Sequence, residues 1–200
     1  MVRTPKTKVT PKPDASDTLR EAVPENALVL AVDPGRNCGY SVWHRGRMLE
    51  CSYLAPGWNA QIVDRIIQHH GPRASELGAQ LVLAIEAQYL PRGVGGAAAI
   101  SVIVNRCRWQ VVAELSAVRV VLVAASTWQT QWLKWRRGED PKALARAEME
   151  RLIEVHQPER RLVMVTQDMA DAVCLGAYVS ALHWPVVRWV AMDEEVSRDN

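Results

Sequence analysis

The fold is decided by Ala27-Leu-Val-Leu-Ala-Val-Asp33 and the Pro34-Gly35 that follows it. A short aliphatic run cut off by Pro-Gly reads as a buried strand ending in a turn, and it delivers Asp33 at the strand's C-terminal end. Two further strands, Cys38–Trp43 and Arg47–Leu54, flank the turn at His44-Arg45-Gly46, so an antiparallel meander of three strands is expected. Asn59 suits the cap of a helix through His70, with Ile62, Ile66 and Ile67 on one side and Gly71-Pro72 as its stop. Leu81–Ile85 is a second aliphatic run that ends on an acid, Glu86.

The second half continues the alternation. Val94–Leu115 has no Pro and reads as a long helix, and Val118–Val123 as a third buried strand. Ser126 is placed to cap a short helix through Leu133, followed by a basic loop, Lys134–Arg137 and Gly138. Pro141 opens a helix to about Val155 with Leu144, Met149, Leu152 and Ile153 on its apolar side, and Asp168–Leu182 forms the last helix. Arg160–Val165 has a strand-like composition. The order βββαβαβα, with more helix after it, predicts an α/β domain: a mixed five-stranded sheet, its first three strands antiparallel, flanked by helices. No internal repeat is found.

Composition agrees with one folded domain. The chain has 200 residues, 48% hydrophobic and 23% charged, with a formal net charge of +2, too small to prove a polyanionic partner. We expect a flexible basic tail over 1–25, with Arg3, Lys6, Lys8 and Lys12 ahead of the first acid, a domain over 26–184, and a C-terminal tail over 185–200. No apolar run approaches the roughly 18 residues that span a bilayer, and no secretory signal is seen, so a cytoplasmic protein without a membrane partner is expected. Cys38, Cys51, Cys107 and Cys174 stand far apart, with no nearby His pair at zinc-ligand spacing, and read as reduced, mostly buried thiols. Trp is frequent, at 8, and Phe absent, so some Trp residues should fill core positions.

Four acids carry the chemistry. Strand C-terminal ends in an open α/β sheet face the crevice where ligands bind, so Asp33 and Glu86 share a pocket if their strands are neighbours. Asp168 and Asp171 stand three apart, on one face of the last helix. Each has a bland reading: a solvated turn acid for Asp33 and Glu86, a cap for Asp168, a first-turn acid for Asp171. Against the bland reading stands the almost wholly apolar AVCLGAYVSAL that follows, because a helix anchored in the interior places those carboxylates where unpaired charge is expensive. Clustered acids need a cation, and hard oxygen ligands suit Mg2+, with Mn2+ also expected to serve. A pair of such ions about 4 Å apart supports phosphodiester hydrolysis.

AVDPGRNCGYSVW at Ala31–Trp43, AIEAQYL at Ala84–Leu90 and TQDMADAVCLGAYVS at Thr166–Ser180 together resemble RuvC, the Holliday junction resolvase family, with order and spacing alike over about residues 27–183. The resemblance implies a ribonuclease H-like fold, a homodimer, and paired nicks in strands of like polarity at a four-way DNA junction. It implies Asp33, Glu86, Asp168 and Asp171 as metal-binding, catalytic acids. It also implies Tyr89 as the aromatic that engages bases at the junction centre, and Lys142 as a lysine near the scissile phosphate. Tyr89 is equally a packing aromatic, and for Lys142 a solvated surface lysine is the commoner case. Bacterial hosts or their phages would place such an enzyme at the nucleoid, in DNA recombination and repair.

The chain departs from that pattern where the family often has a second active-site lysine: here STWQTQWL puts Gln129 nearest, closer to some phage-type relatives. Arg92 beside Gly93, Gly95 and Gly96, and Lys134, Arg136 and Arg137 interleaved with Trp132 and Trp135, are candidates for nucleic-acid contact, as are Arg106 and Arg108. A solvated loop is the alternative for each. The Gly95–Ala99 stretch permits close approach of a second copy's helix, or packing on the chain's own sheet. Two other readings stay open: a nuclease of the same fold acting on other branched DNA or RNA, and a non-catalytic nucleic-acid-binding module. The turn after Asp33 also resembles the phosphate-binding turn of actin-like kinases and ATPases, but those need two such domains and this chain has room for one.

Overall fold

The computed structural model describes residues 15–87, 96–157, 159 and 165–186. The basic arm, Tyr89, Arg92 and most of the Arg160–Val165 segment lie outside these. The elements are α1 (Ala15–Ala22), β1 (Ala27–Asp33), β2 (Gly39–His44), β3 (Arg47–Tyr53), α2 (Ala60–Glu76), β4 (Gln80–Ala87), α3 (Ala97–Leu115), β5 (Arg119–Ala124), α4 (Ala125–Gln131), α5 (Pro141–His156) and α6 (Gln167–Ser180). The sheet runs β3-β2-β1-β4-β5; β1, β2 and β3 pair antiparallel, and β1, β4 and β5 parallel. This is the mixed five-stranded sheet expected from the strand signals.

Side chains alternate between the sheet's two faces. Val29, Ala31, Val82, Ala84, Val121 and Val123 pack with α4, α5 and α6, whereas Leu28, Leu30, Leu81, Leu83 and Ile85 pack with α2 and α3. Small residues let α6 lie close to its face. Ala31 and Ala84 lie beneath it, a Cβ on Gly176 would overlap the Trp43 indole, and a Cβ on Gly39 would overlap the Asp168 carbonyl.

Helix ends differ from the sequence reading in four places. Residues 15–22, expected within the tail, form α1, because Leu19 and the following Val23 bury themselves in the α6-side core. α2 runs on through Gly71-Pro72 to Glu76: Pro72 is on the exposed side, where the Gln68 carbonyl it leaves unpaired can reach water, and buried Ala74 holds the last turn. Ser126 caps nothing, since α4 starts at Ala125. α6 is capped by Thr166, whose side chain accepts from the Met169 N–H, so Asp168 is not a cap.

Among the described residues, no helix is long and apolar enough to cross a membrane. All four cysteines are free thiols, with only Cys107 exposed. Trp43, Trp58, Trp109, Trp128 and Trp132 fill core positions.

Candidate active site

Strand alternation decides which way the two strand-end acids point. Asp33 follows Val29 and Ala31, and Glu86 follows Val82 and Ala84, by steps of two, so both project on the α6 face. The parallel register pairs Val32 with Ile85, which sets Asp33 and Glu86 side by side at the C-terminal ends of adjacent strands. Both are buried, 5% and 8% exposed.

The first turn of α6 reaches the same end. Gly39 is the register partner of Asp33, and the α6 backbone at Asp168 and Met169 lies directly over it. The Asp168 carboxylate is received by the turn after β1: the Asn37 N–H donates to its Oδ2 at 3.1 Å, and a Cβ on Gly35 would stand 2.8 Å from that oxygen. Glycine at 35 and 39 is therefore a space requirement, which explains why DPG and GY accompany an acidic helix start. From α3, Asn105 Nδ2 donates to the Gly35 carbonyl, so the turn is held from both faces of the sheet. Asp171, one turn further along α6, accepts from Gln167 Nε2 at 2.9 Å, and Arg146 of α5 in turn donates to Gln167 Oε1 at 2.9 Å.

Burial raises the proton affinity of Glu86, Asp168 and Asp171, and neighbouring carboxylates add to it at Glu86 and Asp171. Desolvation, then the Asp171 carboxylate, pushes Glu86 up to about 8; the Trp128 indole offsets part of this, although its N–H stops short of a well-formed hydrogen bond. Asp171 is pushed up to about 6 by desolvation, with Asp168 adding to the shift and Gln167, Lys142 and Arg146 opposing it. Asp168 is raised by desolvation, against the Asn37 N–H and Lys142.

Such a set fits a hard divalent cation. The donors are all carboxylates, and buried Glu86 Oε2 has no hydrogen-bond partner among the described residues. No three of the four acids have oxygens within 4.8 Å of one another, a closeness reached among the described residues only by Glu50, His69 and His70. The quartet is thus an open ring lining the sheet end rather than a tight single cage.

Lys142, at the start of α5, is exposed, and its ammonium acts on both Asp168 and Asp171. Lys134, Arg136 and Arg137 are exposed in the loop before α5, where Trp135 Nε1 donates to the Glu139 carbonyl and the Arg136 N–H to the Glu139 carboxylate. Trp132 is buried, so it is a core residue and not part of a stacking surface. Arg108 is engaged internally: it donates to Asn105 Oδ1 and the Trp58 carbonyl and lies over the Trp58 ring, 5.5 Å from its centroid. Sequence reasoning missed Asn37, Asn105, Trp128, Arg146 and Gln167. Only Gln167 carried a local signal, its i,i+4 spacing to Asp171.

No family model and no curated protein matches the chain. Among solved structures, RuvC of T. thermophilus in complex with Holliday junction substrate is similar at 19% identity, covering 78% of this chain and 94% of that one, with a TM-score of 0.50. The yeast mitochondrial Holliday junction resolvase Ydc2 is similar at 11% identity, covering 88% of each chain, with a TM-score of 0.52. By fold the chain is therefore of the ribonuclease H-like class, in the form found in RuvC-like nucleases. The neighbours include RuvC itself, the resolvase that the three sequence motifs resemble.

Proposed function

We propose that the chain is a metal-dependent endonuclease that resolves four-way DNA junctions as a homodimer, in DNA recombination and repair. One observation carries the reading: three separate segments send four carboxyl groups to one end of the sheet, where Glu86 is buried with an oxygen left over. Asp33, Glu86, Asp168 and Asp171 would hold Mg2+ or Mn2+, and bound ions supply Lewis acidity and an activated water for phosphodiester hydrolysis. The chain's own residues do the positioning. The Asn37 N–H fixes Asp168, and the Gln167–Arg146 pair fixes Asp171. Lys142 offers a cation to the scissile phosphate at the exposed rim of the ring.

DNA contact is assigned to Lys134, Arg136, Arg137, Lys142 and Arg92 through phosphates, and to Tyr89 at the junction centre, where a stacked base is worth roughly 1–3 kcal/mol. The homodimer reading rests on α3, whose Ile100, Ile103, Val104, Val111 and Leu115 are exposed at helical spacing, as is Cys107. An apolar stripe of this kind suits a two-fold helix contact.

A side-by-side assay of four-way junction, fork, flap, RNA–DNA hybrid and linear duplex with Mg2+ or Mn2+ tests the reading. Paired nicking of the junction, with little cutting of duplex, is expected. Equal cutting of duplex would remove junction selectivity, preference for a fork or hybrid would move the substrate to other branched DNA or RNA, and binding without cleavage would leave a non-catalytic module.

A further inference from the structure

A second group of ligating side chains lies on the opposite face of the sheet. Glu50 of β3 pairs with Val42 of β2, whose side chain belongs to the core under α2 and α3. There it meets His69 and His70 of α2, and one ligand atom from each of the three comes within 4.8 Å of the other two. The two imidazoles stand edge to face, with centroids 4.8 Å apart. None of these residues belongs to the acidic ring.

His70 is the informative member. It is 1% exposed, its Nδ1 has no hydrogen-bond partner among the described residues, and its Nε2 comes no nearer to Glu50 Oε2 than 4.0 Å. A buried imidazole nitrogen without a partner is costly unless something else engages it. Burial lowers its proton affinity, against the opposing pull of the Glu50 carboxylate. His69 is exposed and Glu50 half-buried, so an ion has a route from solvent.

We propose that Glu50, His69 and His70 form a binding site for a borderline divalent transition metal such as Zn2+, separate from the carboxylate ring. Two imidazoles and one carboxylate suit that class of ion, with water in the fourth position. Tetrahedral bonds of about 2.0–2.1 Å put ligand atoms roughly 3.4 Å apart, so the three groups close by about 1 Å on binding. Glu50 has two present partners: Tyr40 donates its hydroxyl to Oε1 at 2.9 Å, and Arg73 stands 3.8 Å from Oε2. Tyr40 can stay, since it orients the carboxylate from behind. Arg73 competes with the ion and must swing out, which its 35% exposure allows. The bound ion clips edge strand β3 to α2.

The test reads binding, not cleavage, so it is independent of the nuclease reading. Zn2+ is titrated calorimetrically into the untagged full chain carrying Asp33→Asn and Asp168→Asn, which disables the acidic ring. One equivalent per chain is expected to remain. Adding His69→Ala, an exposed position whose loss leaves the core intact, should weaken that equivalent at least roughly tenfold. Arg73→Gln should tighten it, because the competing cation is gone. Zn2+ should also shift the imidazole NMR signals of His69 and His70 and leave those of His44 and His183 in place. Unchanged Zn2+ affinity in the His69→Ala variant, or no Zn2+ bound once the acidic ring is disabled, overturns the proposal.

Discussion

α6, on one face of the sheet, is buried without a break from Met169 to Ser180 apart from Asp171, whereas α3, on the other, leaves Ile100 at 62% and Leu115 at 83% exposure. Both helices are rich in Ala, Val and other apolar residues, so composition does not separate them. What separates them is cover. Among the described residues, α1, α4 and α5 close over the α6 side, whereas on the other face α3 packs with α2. A buried apolar helix can hold carboxylates at its first turn in a desolvated setting; an apolar helix left at the surface has a face to offer. The first circumstance underlies the proposed cation site, and the second the proposed dimer.

The sharpest way to break this comparison is at the acid ring. Asp33→Asn, Glu86→Gln, Asp168→Asn and Asp171→Asn are each expected to cut junction cleavage by about a thousandfold or more, since each removes several kcal/mol of charge stabilisation. Binding measured by gel shift should persist. Full activity of Asp171→Asn would detach α6 from the chemistry.

Next comes pH. Glu86, at about 8, and Asp171, at about 6, have folded values above the unfolded carboxylate range. Such groups stabilise the fold at low pH, and that contribution is lost as pH rises from the unfolded range towards the folded value. With metal chelated, stability should therefore fall between about pH 4.5 and 8, by roughly 1–4 kcal/mol, and then level off. Urea midpoints at pH 5 and pH 8 measure this, and Mn2+ should recover the difference, because it binds the ionised acids. A pH-independent midpoint would mean the ring is more solvated than its burial indicates.

Smaller again is the effect of closing the space under α6. Gly39→Ala places a methyl against the Asp168 backbone, which cannot move alone, and should cost roughly 1–3 kcal/mol in a thermal melt while also lowering metal affinity. On the other face, Val104→Asp should change monomer stability by no more than about 0.5 kcal/mol, because the side chain is already 41% exposed. It should nevertheless convert a dimer to monomer by sedimentation equilibrium. A large loss of monomer stability would show that α3 has an internal partner after all.

Five strands, their order along the chain and the acids at two strand ends were legible in the sequence, because aliphatic runs, Pro-Gly stops and side-chain spacing are local properties. So was the Asp168–Asp171 pair, since residues three apart on a helix share a face whatever surrounds it. Tertiary structure alone decided the rest. It set Asp33 beside Glu86 across the connection over residues 34–79, which carries β2, β3 and α2, made Gly39 the floor for α6, and brought Arg146 to Gln167. It turned Arg108 inward onto Trp58 and carried Trp132 into the core. It also drew Glu50 to His69 and His70 across the edge of the sheet. These are meetings between residues distant in the chain, and their energies depend on how deeply each is buried, a quantity that no local pattern contains.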